Sequence, residues 1–296
     1  MVLLLSSCAP DPGADPSKAS SGGQGAQDSH GLARREGPKV RDDNVLKMRL
    51  VWCPPGSFIM GPLPVDRVGG DPPSVQVTIS AGYWMGECEV TQAQWQLVMG
   101  STPWKGKKYV KEGADYPATY VSSDDALEFC EALTETERRA GRLETGWEYT
   151  LPTEAQWEYA CRAGAQTRYF FGDDKSLLDQ YAWFAKNSLE AGEYYPSPHR
   201  VRLKKPNPWG LYDIYGNVHE WCVDVYASQP PGGTDPKVTG KESIRIGFWD
   251  TSRRMIRGGY CNSVSSGCRT YLRTFTSRED RTSGLGFRVV LSARGD

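Results

Sequence analysis

The chain has 296 residues, of which 39% are hydrophobic, and its formal net charge is −1. This balance predicts no nucleic-acid binding, which usually requires a basic domain, and the absence of any run of 18 apolar residues predicts no membrane-spanning helix. The unusual figures are 10 Trp, 15 Tyr, 32 Gly and 20 Pro, which predict a loop-rich core packed around aromatic side chains.

The N-terminus contains Leu5-Ser6-Ser7-Cys8, which resembles a bacterial lipobox, the site at which a cysteine becomes lipidated in envelope lipoproteins. Residues 1–8 lack a basic region and a full-length apolar stretch, so a chance tetrapeptide stays open as the alternative. Residues 9–44 are rich in Gly, Ser, Ala, Pro and charge, which predicts a disordered tether. We expect lipidation at Cys8, a bacterial envelope location, and contact with the membrane only through that anchor.

Two strands are predicted at the start of the folded domain, which we place at 45–296. Met48, Leu50 and Trp52 alternate along the chain before Pro54-Pro55-Gly56, as in a strand that ends in a turn. The alternation of apolar residues in 75–79 predicts a second strand before Tyr83-Trp84-Met85-Gly86.

Three helix starts carry a capping box, in which a hydroxyl residue caps the first turn and a polar residue three positions later reaches back. They are Thr91/Gln94, which predicts a short helix through Val98, Ser122/Asp125, which opens a longer one, and Thr153/Gln156. After Gly164 only short strands are predicted, notably Arg254–Arg257 and Gly286–Leu291. The sequence therefore predicts one α+β domain.

The most informative segment is Asn207-Pro-Trp-Gly-Leu-Tyr-Asp-Ile-Tyr-Gly-Asn-Val-His-Glu-Trp-Cys222. It has neither a helical nor a strand period, which predicts an irregular loop held by aromatic packing and side-chain-to-backbone hydrogen bonds. The other informative blocks are Pro55-Gly-Ser-Phe-Ile-Met-Gly61, Tyr83-Trp-Met-Gly-Glu-Cys-Glu-Val-Thr91, Val121-Ser-Ser-Asp-Asp-Ala-Leu-Glu-Phe-Cys130, Leu151-Pro-Thr-Glu-Ala-Gln-Trp-Glu-Tyr-Ala-Cys-Arg-Ala-Gly164, Arg257-Gly-Gly259 and Gly286-Phe-Arg288.

These seven collinear blocks resemble the sulfatase-modifying-factor family, the formylglycine-generating enzymes and their non-catalytic relatives, over residues 47–292. The resemblance implies an elaborated C-type-lectin-like α+β domain with little regular secondary structure. It also implies, for catalytic members, a copper-dependent oxidase that converts a cysteine of an exported sulfatase to formylglycine. Such members use two cysteines five positions apart, shortly after Gly-Gly-Ser.

The corresponding segment here departs from that pattern. Tyr260 stands where the family has serine, and Cys261 is followed by Cys268 seven positions later. A soft thiolate pair suits Cu(I), so Cys261 and Cys268 are the catalytic candidates if the oxidase interpretation holds. The alternatives are a disulfide or two buried thiols that pack as small hydrophobes, and the spacing favours a structural role. Eight cysteines suit an oxidising envelope, and we predict a disulfide between Cys222 and Cys268.

Calcium is the predicted cofactor, because the resemblance implies a structural calcium at the Gly-Asn-x-x-Glu segment. The matching positions are Asn217, Val218, Glu220 and Cys222, and Asn and Glu oxygens with backbone carbonyls are donors that calcium prefers. The alternative is that Asn217 and Glu220 only hydrogen-bond the loop.

Two functions of different classes follow. The first is an envelope ligand-binding scaffold with an unknown ligand, protein or glycan, at the 260–285 surface; its predicted ligand-binding residues are Tyr260, Asn262, Ser263, Ser265, Tyr271, Arg273 and Phe275. A sharper version is a variable protein diversified at asparagine codons, which the composition of 260–267 and most of 274–285 permits, although Glu279 falls outside the reachable set. The second is the copper-dependent oxidase.

Overall fold

The computed structural model describes residues 39–64, 72–240 and 249–294, which all fall within one compact unit. The α-helices in these ranges are α1 (Gln92–Met99), α2 (Ser123–Arg139) and α3 (Glu154–Arg162). The strands are β1 (Val40–Arg41), β2 (Leu50–Cys53), β3 (Gly56–Met60), β4 (Val75–Ile79), β5 (Tyr83–Gly86), β6 (Trp147–Thr150), β7 (Ala182–Trp183), β8 (Tyr215–Gly216), β9 (His219–Ala227), β10 (Gly233–Thr234), β11 (Trp249–Arg257), β12 (Thr274–Ser277), β13 (Leu285–Gly286) and β14 (Val290–Ala293).

These strands form four small sheets in the described ranges. Their orders are β1-β2-β5-β14-β6, β10-β4-β3, β12-β11-β9-β13 and β7-β8. The first sheet is antiparallel throughout, whereas β13 joins β9, β10 joins β4 and β7 joins β8 in parallel. Short strands in several sheets, with long irregular connections, agree with the predicted α+β class.

All three predicted capping boxes are present, and each helix begins directly after its cap. In each case the cap hydroxyl accepts a backbone N–H from the third helical residue, whose side chain accepts the N–H of the cap. At the start of α3, the buried Asp224 also accepts the backbone N–H of Glu154 at 2.7 Å. This bond connects α3 to β9. The start of α3 is therefore determined both by its own capping box and by a contact with a distant strand.

The folded domain begins before residue 45, so the predicted tether boundary is wrong by several residues. Val40 and Arg41 pair with Val51 and Leu50. Asn44 is buried; its side-chain N–H donates to the carbonyl oxygen of Met48, and its side-chain oxygen accepts the N–H of Met48. Because this stretch is mostly polar, its sequence did not indicate a strand. The rest of the predicted tether, with Cys8, lies outside the described residues.

The predicted C-terminal strand Gly286–Leu291 is two strands in the structure. β13 pairs with β9 and β14 with β5 and β6, so the chain passes from one sheet to another between them. The break falls at Arg288, whose guanidinium turns into the core to meet Glu220. A hydrophobic pattern does not reveal a change of sheet, which explains the error.

The signature block is only partly irregular. Residues 207–218 are mostly loop, held by Asn207, whose amide accepts the N–H of Trp209 and Leu211 and donates to the carbonyl of Ala160. Its last four residues, however, begin the nine-residue β9. β9 is mostly buried, so it lacks the alternation that marks a half-exposed strand. Within the described ranges, none of the helices could serve as a membrane span.

Candidate functional site

A surface pocket of about 400 Å³ lies beside the end of β11 and the strand β12. The aromatic and hydroxyl groups of its lining include those of Tyr195, His219, Tyr260, Thr274, Phe275 and Ser283. Among the described residues, its lining contains no Asp, Glu, Lys or Arg. This volume is within the range of small-ligand sites, about 300–1,000 Å³, and the lining suits an uncharged group.

A sharp turn after β11 builds one side of the pocket. Gly259 has a φ of 78°, and a Cβ there would lie 2.8 Å from the carbonyl oxygen of Gly267. Only glycine fits this left-handed position and close approach without strain. The backbone N–H of Cys261 then donates to the carbonyl oxygen of Asn217 at 2.9 Å. The turn is thereby anchored to the signature block and directs Tyr260 to the pocket.

The ring of Tyr260 forms a wall of the pocket. It lies against Gly284, where an added Cβ would be 2.4 Å from the ring carbon Cδ2, and its centroid is 5.0 Å from that of His219. Burial lowers the pKa of His219 to about 4, so the imidazole is neutral at pH 7. The His219 Nδ1 atom is buried and has no hydrogen-bond partner among the described residues. The site therefore presents a neutral imidazole ring.

Three of the predicted ligand-binding residues lie at this pocket or beside it. Tyr260 and Phe275 line it, and 37% of Phe275 is exposed. The amide of Asn262 donates to the hydroxyl of Tyr195, a lining residue, at 2.8 Å. Tyr195 and His219 were not predicted, because they lie far from 260–285 in the sequence. Thr274 and Thr276 of β12 belong to the predicted 260–285 surface but were not named individually.

The other four predicted ligand-binding residues have different roles. The Ser263 hydroxyl accepts the N–H of Tyr260 within the turn, and Ser265 opens a short 3₁₀ helix. Tyr271 is buried. Arg273 pairs through two nitrogens with Glu154, both at 2.8 Å. Tyr271 and Arg273 therefore contact the core and lie outside the pocket lining.

The two candidate catalytic cysteines do not fit a copper centre in this arrangement. Cys261 is 2% exposed with its sulfur 3.7 Å from the carbonyl oxygen of Pro196, and Cys268 is fully buried in an apolar cluster. Burial raises the pKa of both thiols to about 12, so both are protonated at neutral pH. Copper would have to reach two buried sulfurs and displace a proton from each, which their burial opposes.

The predicted disulfide between Cys222 and Cys268 is wrong. Both residues are free, buried thiols in the structure and belong to one apolar cluster with Cys161. All seven cysteines among the described residues are free. These three side chains pack as small hydrophobic groups, which is the usual role of a buried cysteine.

The four residues predicted to hold calcium do not fit a calcium ion as they are arranged. Both carboxylate oxygens of Glu220 accept nitrogens of Arg288 at 2.6 Å, and one also accepts the indole N–H of Trp157. The Asn217 side-chain oxygen accepts the N–H of His199 at 2.8 Å. Val218 and Cys222 are fully buried. Glu220 is thus neutralised by an arginine and is not a metal ligand here.

Two other carboxylates near Asn217 have unused oxygens. Glu89 Oε2 and Asp213 Oδ1 are buried and have no hydrogen-bond partner among the described residues. Burial, then repulsion from Asp213, raises the pKa of Glu89 well above its usual range, and burial raises that of Asp213 to about 6. No cluster of three or more His, Cys, Asp or Glu with metal-site geometry occurs in the described ranges. A cation here would need backbone carbonyls or water as its other ligands.

We therefore expect calcium binding to require the carboxylate of Asp213 and not that of Glu220. Calcium should raise the melting temperature relative to EGTA at pH 7.5, because a ligand that binds only the folded state stabilises it. Asp213→Asn should lose this response, whereas Asp124→Asn, at a half-exposed position on α2, should keep it. Differential scanning fluorimetry measures the shift. Identical melting curves in calcium and EGTA would exclude the calcium site.

Residues 38–293 match the family described as the sulfatase-modifying factor enzyme 1-like domain. The chain is 28% identical over 306 residues to the formylglycine-generating enzyme of Mus musculus, covering 82% of this chain and 74% of that protein. It is 29% identical over 211 residues to inactive C-alpha-formylglycine-generating enzyme 2 of Mus musculus, covering 69% of this chain and 56% of that one.

The chain is also 31% identical over 187 residues to chaperone protein LppX of Paenibacillus barcinonensis, covering 51% of this chain and 65% of LppX. It thus spans less than two thirds of the length of LppX and of the inactive enzyme.

Solved structures show the same architecture. Treponema denticola variable protein 1 matches with a TM-score of 0.66 and 27% identity over 82% of this chain and 94% of that chain. PvdO from Pseudomonas aeruginosa matches with a TM-score of 0.70 and 22% identity over 87% and 99%, which supports the fold alone. The predicted C-type-lectin-like α+β fold of the formylglycine-generating-enzyme type is confirmed, and the chain belongs to the sulfatase-modifying factor enzyme 1-like family.

Proposed function

We propose that this protein is a ligand-binding module and that its binding site is the pocket between Tyr260 and Phe275. The observation that carries the proposal is the uncharged, aromatic and hydroxyl lining at the C-terminal surface. Tyr260 replaces the serine of the catalytic relatives, and its ring occupies the space over Gly284. The segment that serves catalysis in those relatives is thereby used as a wall of the pocket.

The copper-dependent oxidase is the alternative function, with an exported sulfatase as its partner. The overall family match favours it, while the positions of the two thiols argue against it. Cys261 and Cys268 are buried and protonated, and their spacing differs from the family pattern. The substrate motif Cys-x-Pro-x-Arg also brings a positive charge, for which the described pocket lining has no acidic partner.

The names of three relatives agree with a binding role, but they do not identify a ligand. One relative is named as an inactive formylglycine-generating enzyme, one as a chaperone protein and one as a variable protein. The likeness to the variable protein also supports the sharper version, diversification of residues 260–267 and most of 274–285. A second, imperfect copy of this coding segment beside the gene would establish it, and a genome without such a copy would exclude it.

An envelope location through a lipid on Cys8 completes the proposal. Its support is the lipobox-like Leu5-Ser6-Ser7-Cys8, which lies outside the described residues. Metabolic labelling with palmitate should mark the full-length protein and fail with Cys8→Ala. Labelling that persists in the variant, or none in the parent protein, would contradict the anchor.

The binding function is tested on a panel of immobilised neutral oligosaccharides and peptides, one of which carries Cys-x-Pro-x-Arg. We expect saturable binding of the full chain to one class of probe. Phe275→Ala should weaken it about tenfold, because an aromatic contact contributes up to about 1.5 kcal/mol. Leu97→Ala, a change of similar size at an exposed position on α1, is the matched control and should bind normally. The absence of saturable binding, or binding that Phe275→Ala leaves intact, would overturn the proposal.

A further inference from the structure

The pocket continues into a line of aromatic side chains across the surface. The ring of Tyr109, 44% exposed, lies with its centroid 4.5 Å from that of Tyr195. Tyr195 is joined through Asn262 to the turn that carries Tyr260. We call Tyr109, Tyr195, Tyr260, His219 and Phe275 the aromatic strip.

Tyr260 and Phe275, the rings of the aromatic strip on either side of the pocket, pack against neighbouring side chains. Tyr260 is 5.0 Å from His219 between ring centroids, and Phe275 is 4.0 Å from Tyr226. Arg253 lies over the Phe275 ring at 5.0 Å. Rings fixed by packing lose little further freedom on binding, so they can contribute most of their contact energy to a ligand.

The polar groups that line the pocket are hydroxyls and one neutral imidazole, whereas the Arg253 guanidinium over Phe275 lies outside the lining. Thr274, Thr282 and Ser283 line the pocket, and a hydroxyl can both donate and accept. The Nδ1 atom of His219 is buried and has no partner within the described residues. A matching ligand therefore carries several hydroxyls and no charge, since an unpaired charge would lose its hydration without compensation.

We propose that the aromatic strip binds a neutral oligosaccharide, with one sugar ring in the pocket and the following rings extending towards Tyr109. The inference rests on the proposed binding function and names its ligand class. A sugar ring has an apolar C–H face that packs on an aromatic face, and a hydroxyl rim that pairs with the Thr and Ser hydroxyls of the lining. Four residues of the aromatic strip line the pocket and Tyr109 lies outside the lining, so a chain of sugars reaches Tyr109 and a single sugar fills only the pocket.

Calorimetric titration of the full chain with neutral hexose and N-acetylhexosamine oligomers, from monomer to hexamer, tests the inference. Affinity should rise with oligomer length. Phe275→Ala should weaken every length about tenfold, and Tyr109→Ala should remove the gain with length while sparing the shortest ligands. Both side chains are partly exposed, and unchanged melting temperatures would verify that the variants fold. Uronic-acid and sulfated oligomers should bind more weakly than neutral ones.

Each other outcome overturns the ligand class. No neutral oligomer binding at any length excludes it, as does a preference for the acidic oligomers. Peptide binding that Phe275→Ala abolishes, without saccharide binding, would keep the proposed binding function and reject the saccharide. Loss of all peptide and saccharide binding would reject both.

Discussion

Arg257→Met should lower the free energy of unfolding by about 3–5 kcal/mol, the usual result of removing one partner of a buried ion pair. Arg257 is fully buried and donates to Glu158 at 2.6 Å, Glu154 at 3.2 Å and the carbonyl oxygen of Thr270 at 2.8 Å. Methionine fills much of the volume but leaves Glu158 without this partner in the core. We therefore expect the loss of stability to come from the uncompensated charge of Glu158 and not from a cavity.

Urea denaturation of the parent and variant measures this change. Arg139→Met, which removes an exposed ion pair with Glu135, is the matched control and should cost about 0.5 kcal/mol or less. Arg257 directly precedes the turn at Gly259, so the variant should also weaken ligand binding through a displaced Tyr260. Equal stabilities of the two variants would show that the buried network is not needed for the fold.

Arg288→Met should be similarly destabilising, by about 3–5 kcal/mol, because it leaves the buried Glu220 carboxylate without its bidentate partner. Arg288 also donates to the carbonyl oxygens of Gly86 and Tyr212, at 3.0 and 3.1 Å. The same side chain therefore joins the second block of the family signature, Tyr83–Thr91, and the fifth, Asn207–Cys222, to the last.

A double-mutant cycle separates the unpaired charge from these other losses. Glu220→Gln alone leaves Arg288 unpaired but keeps an acceptor for the indole of Trp157. The double variant removes both charges, and we expect it to recover about 2 kcal/mol relative to the sum of the single variants. Additive single effects would contradict the ion pair as the dominant interaction at this position.

Local signals in the sequence predicted the helices well. The capping boxes at Thr91, Ser122 and Thr153 each determine a helix start through bonds that span three residues, so no tertiary knowledge was required. The strand Val75–Ile79 was equally readable because one of its faces is buried and the other partly exposed. Strands buried on both faces, such as His219–Ala227, carry no such period and were missed.

Long-range pairing limited the prediction of the site. Glu220 and Arg273 have the residue types expected of a metal ligand and a ligand contact, yet both are occupied by partners 68 and 119 residues away in the chain. His219 and Tyr195 belong to the pocket only because separate segments converge there. A sequence shows which side chains are chemically able to act, but the partner that satisfies each one depends on the tertiary structure.

The most direct test of the account asks whether this protein performs the chemistry of its catalytic relatives. The purified full chain is incubated with copper, oxygen, a reductant and a peptide carrying Cys-x-Pro-x-Arg, and mass spectrometry follows the conversion of cysteine to the aldehyde. We predict no aldehyde and no stoichiometric Cu(I) binding, because Cys261 and Cys268 are buried, protonated thiols. Aldehyde that forms with the parent protein and disappears in both Cys261→Ser and Cys268→Ser would contradict the account and establish the oxidase.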